Sequence, residues 1–249
     1  MKKGLIGQLI LLPAKALLRI FDFLVGTFTA DKPVLNEDEF PFGEFLRQNR
    51  QIFLEEYNRF IEARRLHNVK DIYKVDAELN QDENWKAAPL VVYGYLFEKN
   101  SLRCPETIKI LKQLPGCCAV MFLVAGPGKH VPLHKGFHKG IYRCLLTLKV
   151  APNADCWISI DGRKIYFKEG ESIVFDETVE HEVLNASTEP RVVLFLDIYR
   201  KLPFPLNLMN DGLFYLIKNS PFVKNILKDY QELEDESFVP FQAAEATLS

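Results

Sequence analysis

Two stretches decide the fold: GPGKHVPLHKGFHKGIYRCLLTL at residues 126–148 and GESIVFDETVEHEVLNASTEPRVVLFLDIYR at residues 170–200. Each combines short apolar runs with glycine, proline and other turn residues, which is typical of β-strands joined by short loops. Charged or titratable side chains interrupt these runs at His134, Arg143, His181 and Arg191, where a core strand normally carries apolar residues. We interpret them as groups that hold a metal and an acidic cosubstrate inside a β-sandwich.

Turn residues recur roughly every 8–12 positions in this part of the chain, which favours a sandwich or small barrel. Asp161-Gly162 lies between two apolar runs and predicts a two-residue hairpin. We predict a mainly β fold with flanking helices, whose core at residues 116–203 is a double-stranded β-helix (jelly roll, cupin-like). The predicted strands are 118–124, 142–150, 156–160, 164–167, 172–176, 182–184 and 191–199.

Helical periodicity surrounds this core. Residues 29–115 are predicted to form an N-terminal helical region packed on the core, with a long helix at 42–65, a strand at 90–97 and a short helix that begins at Pro105. The charged residues of the long helix, Glu56 among them, are expected to face solvent. Residues 204–249 are predicted to form two helices, interrupted at residues 219–221, followed by a polar tail.

Residues 1–28 form a separate amphipathic segment. Pro13, Lys15, Arg19 and Asp22 interrupt the apolar run, whereas a transmembrane helix needs about 20 nearly uncharged residues. The polar residues form one narrow stripe beside a wide apolar face, which favours a helix that lies in a membrane interface. The alternative is a helix packed on the protein's own core.

The composition excludes some functions. With a net charge of −2 over 249 residues, the chain gives no sign of a nucleic-acid partner. Its five cysteines include no C-x-x-C pair and no zinc-ribbon spacing, so we expect buried free thiols in a reducing compartment.

Three histidines stand four positions apart, at His130, His134 and His138. The glycines and the proline among them exclude a helix, so this segment is a loop or an irregular strand. His134 and His181 lie at the two ends of the β region and can meet at the mouth of a jelly roll. Neutral imidazole is a common ligand for iron and zinc, although a single histidine is more often a core or surface residue.

Arg191 and Arg143 stand in apolar strands, and a buried guanidinium needs an anion because it keeps its proton. A dicarboxylate cosubstrate would satisfy both arginines through bidentate contacts. For Arg143 the alternative is an ion pair with an internal acid such as Asp176 or Asp197.

At these residues the chain resembles a known family. The segments CPETIKILKQLPG (104–116), PGKHVPLHKG (127–136), YRCLLTL (142–148) and the block at 170–200 are similar to the aspartyl/asparaginyl β-hydroxylases, a family of Fe(II)/2-oxoglutarate dioxygenases. That family includes bacterial hydroxylases of lipid A acyl chains. The resemblance covers about residues 40–203.

The resemblance implies a role for each singled-out residue. His134 and His181 correspond to the iron ligands, and Arg191 to the arginine that binds the distal carboxylate of 2-oxoglutarate. Arg143 corresponds to a second arginine in the cosubstrate pocket. Gly136 stands where most dioxygenases of this fold carry a third, acidic ligand, which this family usually lacks.

The implied function is hydroxylation of an unactivated C–H bond with Fe(II), 2-oxoglutarate and O2. We expect a lipid acyl chain, of the lipid A type, as substrate and the cytoplasmic face of the inner membrane as location. The alternatives are β-hydroxylation of Asp or Asn in a peptide, a non-catalytic jelly-roll binding protein, and halogenation. In some members a histidine stands two positions after the strand arginine, where this chain has Leu145.

Overall fold

The computed structural model describes residues 5–30, 32–36, 39–63, 65–72, 83–234 and 237–241. Its helices are α1 (Leu5–Phe28), α2 (Gly43–Ala63), α3 (Val69–Ile72), α4 (Glu98–Ser101), α5 (Pro105–Leu111), α6 (Leu206–Lys218) and α7 (Pro221–Glu234). Its strands are β1 (His67–Asn68), β2 (Trp85–Val92), β3 (Tyr95–Phe97), β4 (Cys117–Ala125), β5 (His130–His134), β6 (Ile141–Lys149), β7 (Cys156–Ile160), β8 (Arg163–Tyr166), β9 (Ser172–Phe175), β10 (His181–Asn185), β11 (Arg191–Tyr199) and β12 (Phe238–Pro240).

The strands form two antiparallel sheets. The large sheet has the order β12-β3-β2-β4-β11-β6-β9, with β1 paired to β2, and the small sheet has the order β5-β10-β7-β8. The two sheets enclose a common apolar core. The predicted jelly-roll fold with flanking helices is therefore confirmed. In addition to the expected helices, residues 29–115 supply β1, β2 and β3 to the large sheet.

The central strands β4 and β11 explain why the sequence reads as continuous apolar runs. Alternate side chains of a strand point to opposite faces. On β4, Phe122 packs in a core layer with α2 and α5, whereas Met121 packs in the layer between the sheets. Leu194 and Phe195 of β11 divide in the same way. Because both faces of these strands are covered, the side chains on both faces are apolar.

Two tight turns set the hairpins. Asp161 and Gly162 have φ of 51° and 75° between β7 and β8, so the predicted hairpin is confirmed. Tyr93 and Gly94 also have positive φ, at 47° and 74°, and they reverse the chain between β2 and β3. The predicted single strand at 90–97 is wrong because this turn divides it.

Helix α2 covers the outer face of the large sheet, and one of its acids is buried. The carboxylate of Glu56 accepts backbone N–H groups of Glu106 at 3.1 Å and Thr107 at 2.8 Å, in the first turn of α5. The expectation that Glu56 faces solvent is wrong, because an acid stabilises the unpaired N–H groups at a helix start.

Helices α1 and α6 pack against each other at one end of the molecule. Phe21 and Val25 of α1 are fully buried there against Leu202, Leu206 and Leu213. Among the residues that the structure describes, no helix is both long and apolar enough to cross a bilayer.

Candidate active site

A cavity of about 240 Å³ lies between the two sheets. His134 and His181 stand in its wall on the small sheet, and Arg191 and Arg143 stand in its wall on the large sheet. The four residues that the sequence singled out therefore share one cavity. Most of the remaining wall is apolar and includes Val69, Trp85, Val92, Met121, Leu123, Leu145, Ile158, Phe175, Phe195 and Phe222.

His134 and His181 face each other across neighbouring strands. Their Cα atoms are paired in the register of β5 and β10, and their ring centroids lie 4.1 Å apart. Because β5 ends at His134 and β10 begins at His181, the antiparallel pairing places both imidazoles at the same end of the small sheet. The two histidines, 47 positions apart in the sequence, thus form one site.

The same local contact orients both imidazole rings. His134 Nδ1 lies 2.7 Å from the carbonyl oxygen of Pro132, and His181 Nδ1 lies 2.8 Å from that of Val179. A carbonyl only accepts, so each Nδ1 carries a proton, and in the neutral ring Nε2 carries the lone pair. This tautomer, fixed by a carbonyl partner, is the one that metal-binding histidines use.

The electrostatics keep His181 neutral. Burial, together with the nearby His134 and Arg143, lowers its pKa to about 3, although the contact with the Val179 carbonyl opposes this shift. A metal ion at His181 Nε2 would therefore not compete with a proton at neutral pH. Among the described residues, no group of three or more His, Cys, Asp or Glu side chains forms a metal site. The cavity offers two protein ligands.

Arg191 is buried, and two of its three nitrogens lack hydrogen-bond partners among the described residues. Its side chain is 2% exposed, and its Nε and Nη1 make no hydrogen bond. The guanidinium lies 4.4 Å from the ring centroid of Phe167, and burial lowers its pKa to about 10, so it stays charged at neutral pH. An uncompensated buried cation is costly, and a bound anion would remove that cost. Arg191 therefore fits a carboxylate ligand.

Arg143 differs because it is already paired. Its Nε and Nη2 donate to the two carboxylate oxygens of Asp197 at 3.0 and 3.1 Å, and Nη2 lies 2.5 Å from Oε2 of Glu177. Burial alone would lower the pKa of Arg143, but the two acids outweigh burial and raise it. Of the two readings from the sequence, the internal pair with Asp197 is the one present. Its assignment as a second cosubstrate ligand stays a prediction, since Arg143 also lines the cavity.

The other candidates lie elsewhere. Asp176, the second possible partner of Arg143, instead contacts Lys139 Nζ at 2.5 Å and Arg200 Nη1 at 3.1 Å. His130 is half exposed and contacts Glu182 at 3.1 Å. His138 is buried against Phe21 of α1 and does not line the cavity.

Glu177 lies over Gly136. In most dioxygenases of this fold an acidic metal ligand stands at the position of this glycine. A Cβ added to Gly136 would lie 2.4 Å from Cδ of Glu177, so only glycine leaves room for this carboxylate. The main-chain N–H of Gly136 also donates to the carbonyl of Glu177 at 2.7 Å. Glu177 thereby connects the segment after His134 to the segment before His181.

The sequence model of a protein family, described as aspartyl/asparaginyl beta-hydroxylase, matches residues 47–201. The chain belongs to the aspartyl/asparaginyl beta-hydroxylase family. An ornithine lipid ester-linked acyl 2-hydroxylase from Rhizobium tropici is 30% identical over 213 residues, which are 85% of this chain and 76% of that protein.

More distant members of the family are also similar. Aspartate beta-hydroxylase domain-containing protein 2 from mouse is 27% identical, over 63% of this chain and 47% of its own length. This chain thus spans less than half of the mouse protein. Among solved structures, a prolyl-4-hydroxylase from Pseudomonas putida aligns with a TM-score of 0.40 at 16% identity, over 61% of this chain and 86% of that one.

Within this family member, sequence reasoning missed Glu177. Its carboxylate is 3% exposed, lines the cavity and pairs with Arg143. Burial raises the pKa of this carboxyl, while Arg143 opposes the rise. The sequence carried one signal for Glu177. This acid lies two positions after the buried strand β9 and four positions before His181, and no other role had been assigned to it.

Proposed function

We propose that the protein is an Fe(II)/2-oxoglutarate-dependent dioxygenase that hydroxylates the acyl chain of a membrane lipid. The observation that carries the proposal is the buried guanidinium of Arg191, with two nitrogens that make no hydrogen bond, in the same cavity as two imidazoles that face each other. One feature calls for an anion, and the other for a metal. A family of hydroxylases supplies the reaction class.

The residues present fit the expected groups. His134 and His181 would hold ferrous iron through Nε2, and Arg191 would hold the distal carboxylate of 2-oxoglutarate through a bidentate contact. With dioxygen, these groups supply an oxidation in which 2-oxoglutarate becomes succinate and carbon dioxide and one oxygen atom enters a C–H bond of the substrate.

The protein itself positions the reactants and excludes water. The carbonyl groups of Pro132 and Val179 hold the two imidazoles in the ligand tautomer. Arg191 would bind and orient the distal carboxylate of the cosubstrate. The apolar walls keep bulk water away from the reacting C–H bond, which protects a strongly oxidising centre from side reactions.

The cavity favours an acyl chain over an aspartate or asparagine side chain. Three cationic residues line it, and Arg191 is assigned to the cosubstrate. Arg143 is neutralised by Asp197 and Glu177, and Lys135 lies 3.6 Å from Glu180. No cation remains, among the described cavity residues, for a substrate carboxylate. Apolar walls match an alkyl chain, as the name of the Rhizobium relative also suggests.

We also propose that the enzyme works at a membrane surface, at the cytoplasmic face of the inner membrane. Helix α1 exposes Ile20, Phe23 and Phe28, with Phe23 70% exposed. Residues 1–28 carry four basic side chains and one acid in a chain whose net charge is −2, which suits anionic lipid headgroups. The five described cysteines are buried and unpaired, as in a reducing compartment.

The test supplies purified protein with Fe(II), 2-oxoglutarate and either an ornithine lipid or a lipid A-type substrate in vesicles. We expect succinate formation coupled to a lipid mass gain of one oxygen. His181→Ala should abolish both, whereas His130→Ala, outside the cavity, should retain them. Turnover on an Asp-containing peptide but on neither lipid would favour the peptide alternative. Full turnover by His181→Ala would refute the site.

A further inference from the structure

The segment that follows His134 is held by helices outside the β core. Residues 135–140, here called the histidine loop, connect β5 with β6. Their two main-chain carbonyls at Lys139 and Gly140 accept hydrogen bonds from Arg200 Nη1 at 3.0 Å and from Asn210 Nδ2 of α6 at 2.9 Å. The loop thus depends on α6 for part of its conformation.

Helix α1 supplies two further contacts to the same loop. Oδ1 of Asp22 accepts the main-chain N–H of Lys139 at 2.9 Å. The ring of Phe21, which is fully buried, stacks on His138 with centroids 5.4 Å apart and planes inclined by 27°. Asp22 and Phe21 are 117 positions away from the loop in the chain, so these contacts join two distant segments.

The opposite face of α1 is apolar and uncovered. On the side of α1 away from Phe21 and Val25, Ile20 and Phe23 are 56% and 70% exposed. Phe28, at the end of the helix, is 69% exposed, and α6, which packs on α1, exposes Leu208 and Tyr215. A helix with apolar residues on both faces normally has both faces covered. Within residues 1–28 the sequence has one acid, Asp22, which accepts the loop N–H, and four basic residues, Lys2, Lys3, Lys15 and Arg19. Of these basic side chains, Arg19 is described by the structure and is exposed. An anionic phospholipid surface matches that combination.

We propose that Asp22 and Phe21 are positioning residues through which the seating of α1 on a lipid surface stabilises the histidine loop and, with it, metal binding at His134. This inference rests on the proposed function, because it takes His134 as a metal ligand. Phe137 of the loop lines the cavity, and its ring centroid lies 6.3 Å from that of Phe222 of α7, which also lines it. A change in the loop therefore also alters the cavity wall.

The first experiment measures the affinity of the full chain for Mn²⁺ as a probe, together with hydrogen exchange of residues 136–140. Asp22→Ala removes the acceptor for the Lys139 N–H, and we expect Mn²⁺ affinity to fall about tenfold and exchange in the loop to accelerate. Asp22→Asn keeps an amide oxygen as acceptor and should restore most of both. Thr27→Ala, which removes a hydroxyl bonded only to Phe23 of the same helix, is the matched control.

The second experiment adds vesicles of phosphatidylglycerol and phosphatidylethanolamine. Wild type should co-sediment with them and gain about threefold in Mn²⁺ affinity. Phe23→Ser should lose both effects, whereas Leu102→Ser, equally apolar and 78% exposed between α4 and α5, should keep them. If Phe23→Ser instead lowers the molar mass without lipid, the face joins two copies of the chain and the proposal is overturned.

The outcomes separate this inference from the function on which it depends. If His181→Ala binds Mn²⁺ as tightly as wild type, the metal site itself is wrong. If His181→Ala loses Mn²⁺ but Asp22→Ala matches wild type in affinity and in loop exchange, the site stands and the coupling through α1 is refuted. In a further outcome, Asp22→Ala binds Mn²⁺ as tightly as wild type, but vesicles no longer raise its affinity. That result would also overturn direct positioning by Asp22.

Discussion

Two arginines of the large sheet, the buried Arg191 and the partly buried Arg143, line the same cavity but have opposite surroundings. On the Arg191 side, a charged group lies against Phe167 with two nitrogens lacking hydrogen bonds. On the Arg143 side, two carboxylates enclose the guanidinium. Burial lowers the pKa of Arg191 to about 10, whereas the acids raise that of Arg143.

The difference teaches where a ligand is missing. An uncompensated buried charge lowers stability, so a folded chain more often keeps one where a ligand completes the site. Paired charges, by contrast, organise the protein itself. We therefore propose that the Arg191 side is the binding side of the cavity, whereas the Arg143 side holds the segments of the two histidines together through Glu177.

The largest expected effect comes from removing the paired arginine. Arg143→Met leaves Glu177 and Asp197 buried without a counter-charge, and we expect the free energy of unfolding to fall by about 3–5 kcal/mol. Urea denaturation at neutral pH measures it. Arg163→Met, on the exposed face of β8, should change stability by less than about 0.5 kcal/mol. A loss below about 1 kcal/mol for Arg143→Met would contradict the assigned pairing.

Removing the unpaired arginine should affect binding instead. Arg191→Met is expected to weaken 2-oxoglutarate binding about 100-fold, equivalent to about 2.7 kcal/mol, because it loses charge-assisted hydrogen bonds. Its stability should equal or exceed that of wild type, since a desolvated charge is removed. Calorimetric titration of the Mn²⁺-loaded protein under anaerobic conditions measures the affinity, and denaturation measures the stability.

The matched variant for this position is Arg191→Lys. Lysine keeps the positive charge but lacks the planar guanidinium that binds a carboxylate through two hydrogen bonds. The 2-oxoglutarate affinity of this variant should therefore lie between those of wild type and Arg191→Met. A large loss of stability in Arg191→Met, with unchanged 2-oxoglutarate affinity, would make Arg191 a structural residue like Arg143.

Much of the β core could be predicted because its signals are local. Asp161-Gly162 demands positive φ at both turn positions, and the runs at 156–160 and 191–199 match β7 and β11 residue for residue. The histidine pair was also accessible, since a strand that ends at His134 and one that begins at His181 can place both side chains at one edge. Glycine at 136 agreed with a two-ligand site.

Contacts between residues that are distant in the sequence were harder to predict. Nothing near Glu56 in the sequence indicates that the start of α5, 50 positions later, supplies its N–H partners. Likewise, Arg143 had two candidate acids, and only the registers of β6 with β11 and β9 show that Asp197 and the segment beside Glu177 are its neighbours. Tyr93-Gly94 was missed because apolar residues continue on both sides of the turn.

A smaller effect is expected from Gly136, on the Arg143 side. Gly136→Ala introduces a Cβ into the space of the Glu177 carboxylate, which must shift, and we expect a loss of about 1–3 kcal/mol in stability. Gly212→Ala in α6 meets no atom within 4 Å and should be neutral or stabilising by up to about 1 kcal/mol. Thermal denaturation of both variants measures the contrast; equal stabilities would show that Glu177 moves aside freely.

The smallest effect concerns the pH dependence of His138, which borders the Arg143 side. Burial lowers its pKa from 6.5 to about 4, so the folded protein keeps this imidazole neutral while the unfolded chain takes up a proton near pH 6.5. Its contribution to stability is therefore full above that pH and declines as the pH falls toward 4, with a loss of about 1 kcal/mol between pH 7 and 5.5.

His138→Phe preserves the ring stacked on Phe21 but cannot take up a proton, so its stability should fall about 1 kcal/mol less over that interval. Phe21→Leu changes the same packing but keeps the titrating group, and it should lower stability at every pH without altering the slope. Urea denaturation at both pH values distinguishes the two. An unchanged slope in His138→Phe would mean that His138 takes up its proton in the folded protein as readily as in the unfolded chain, which its burial against α1 does not allow.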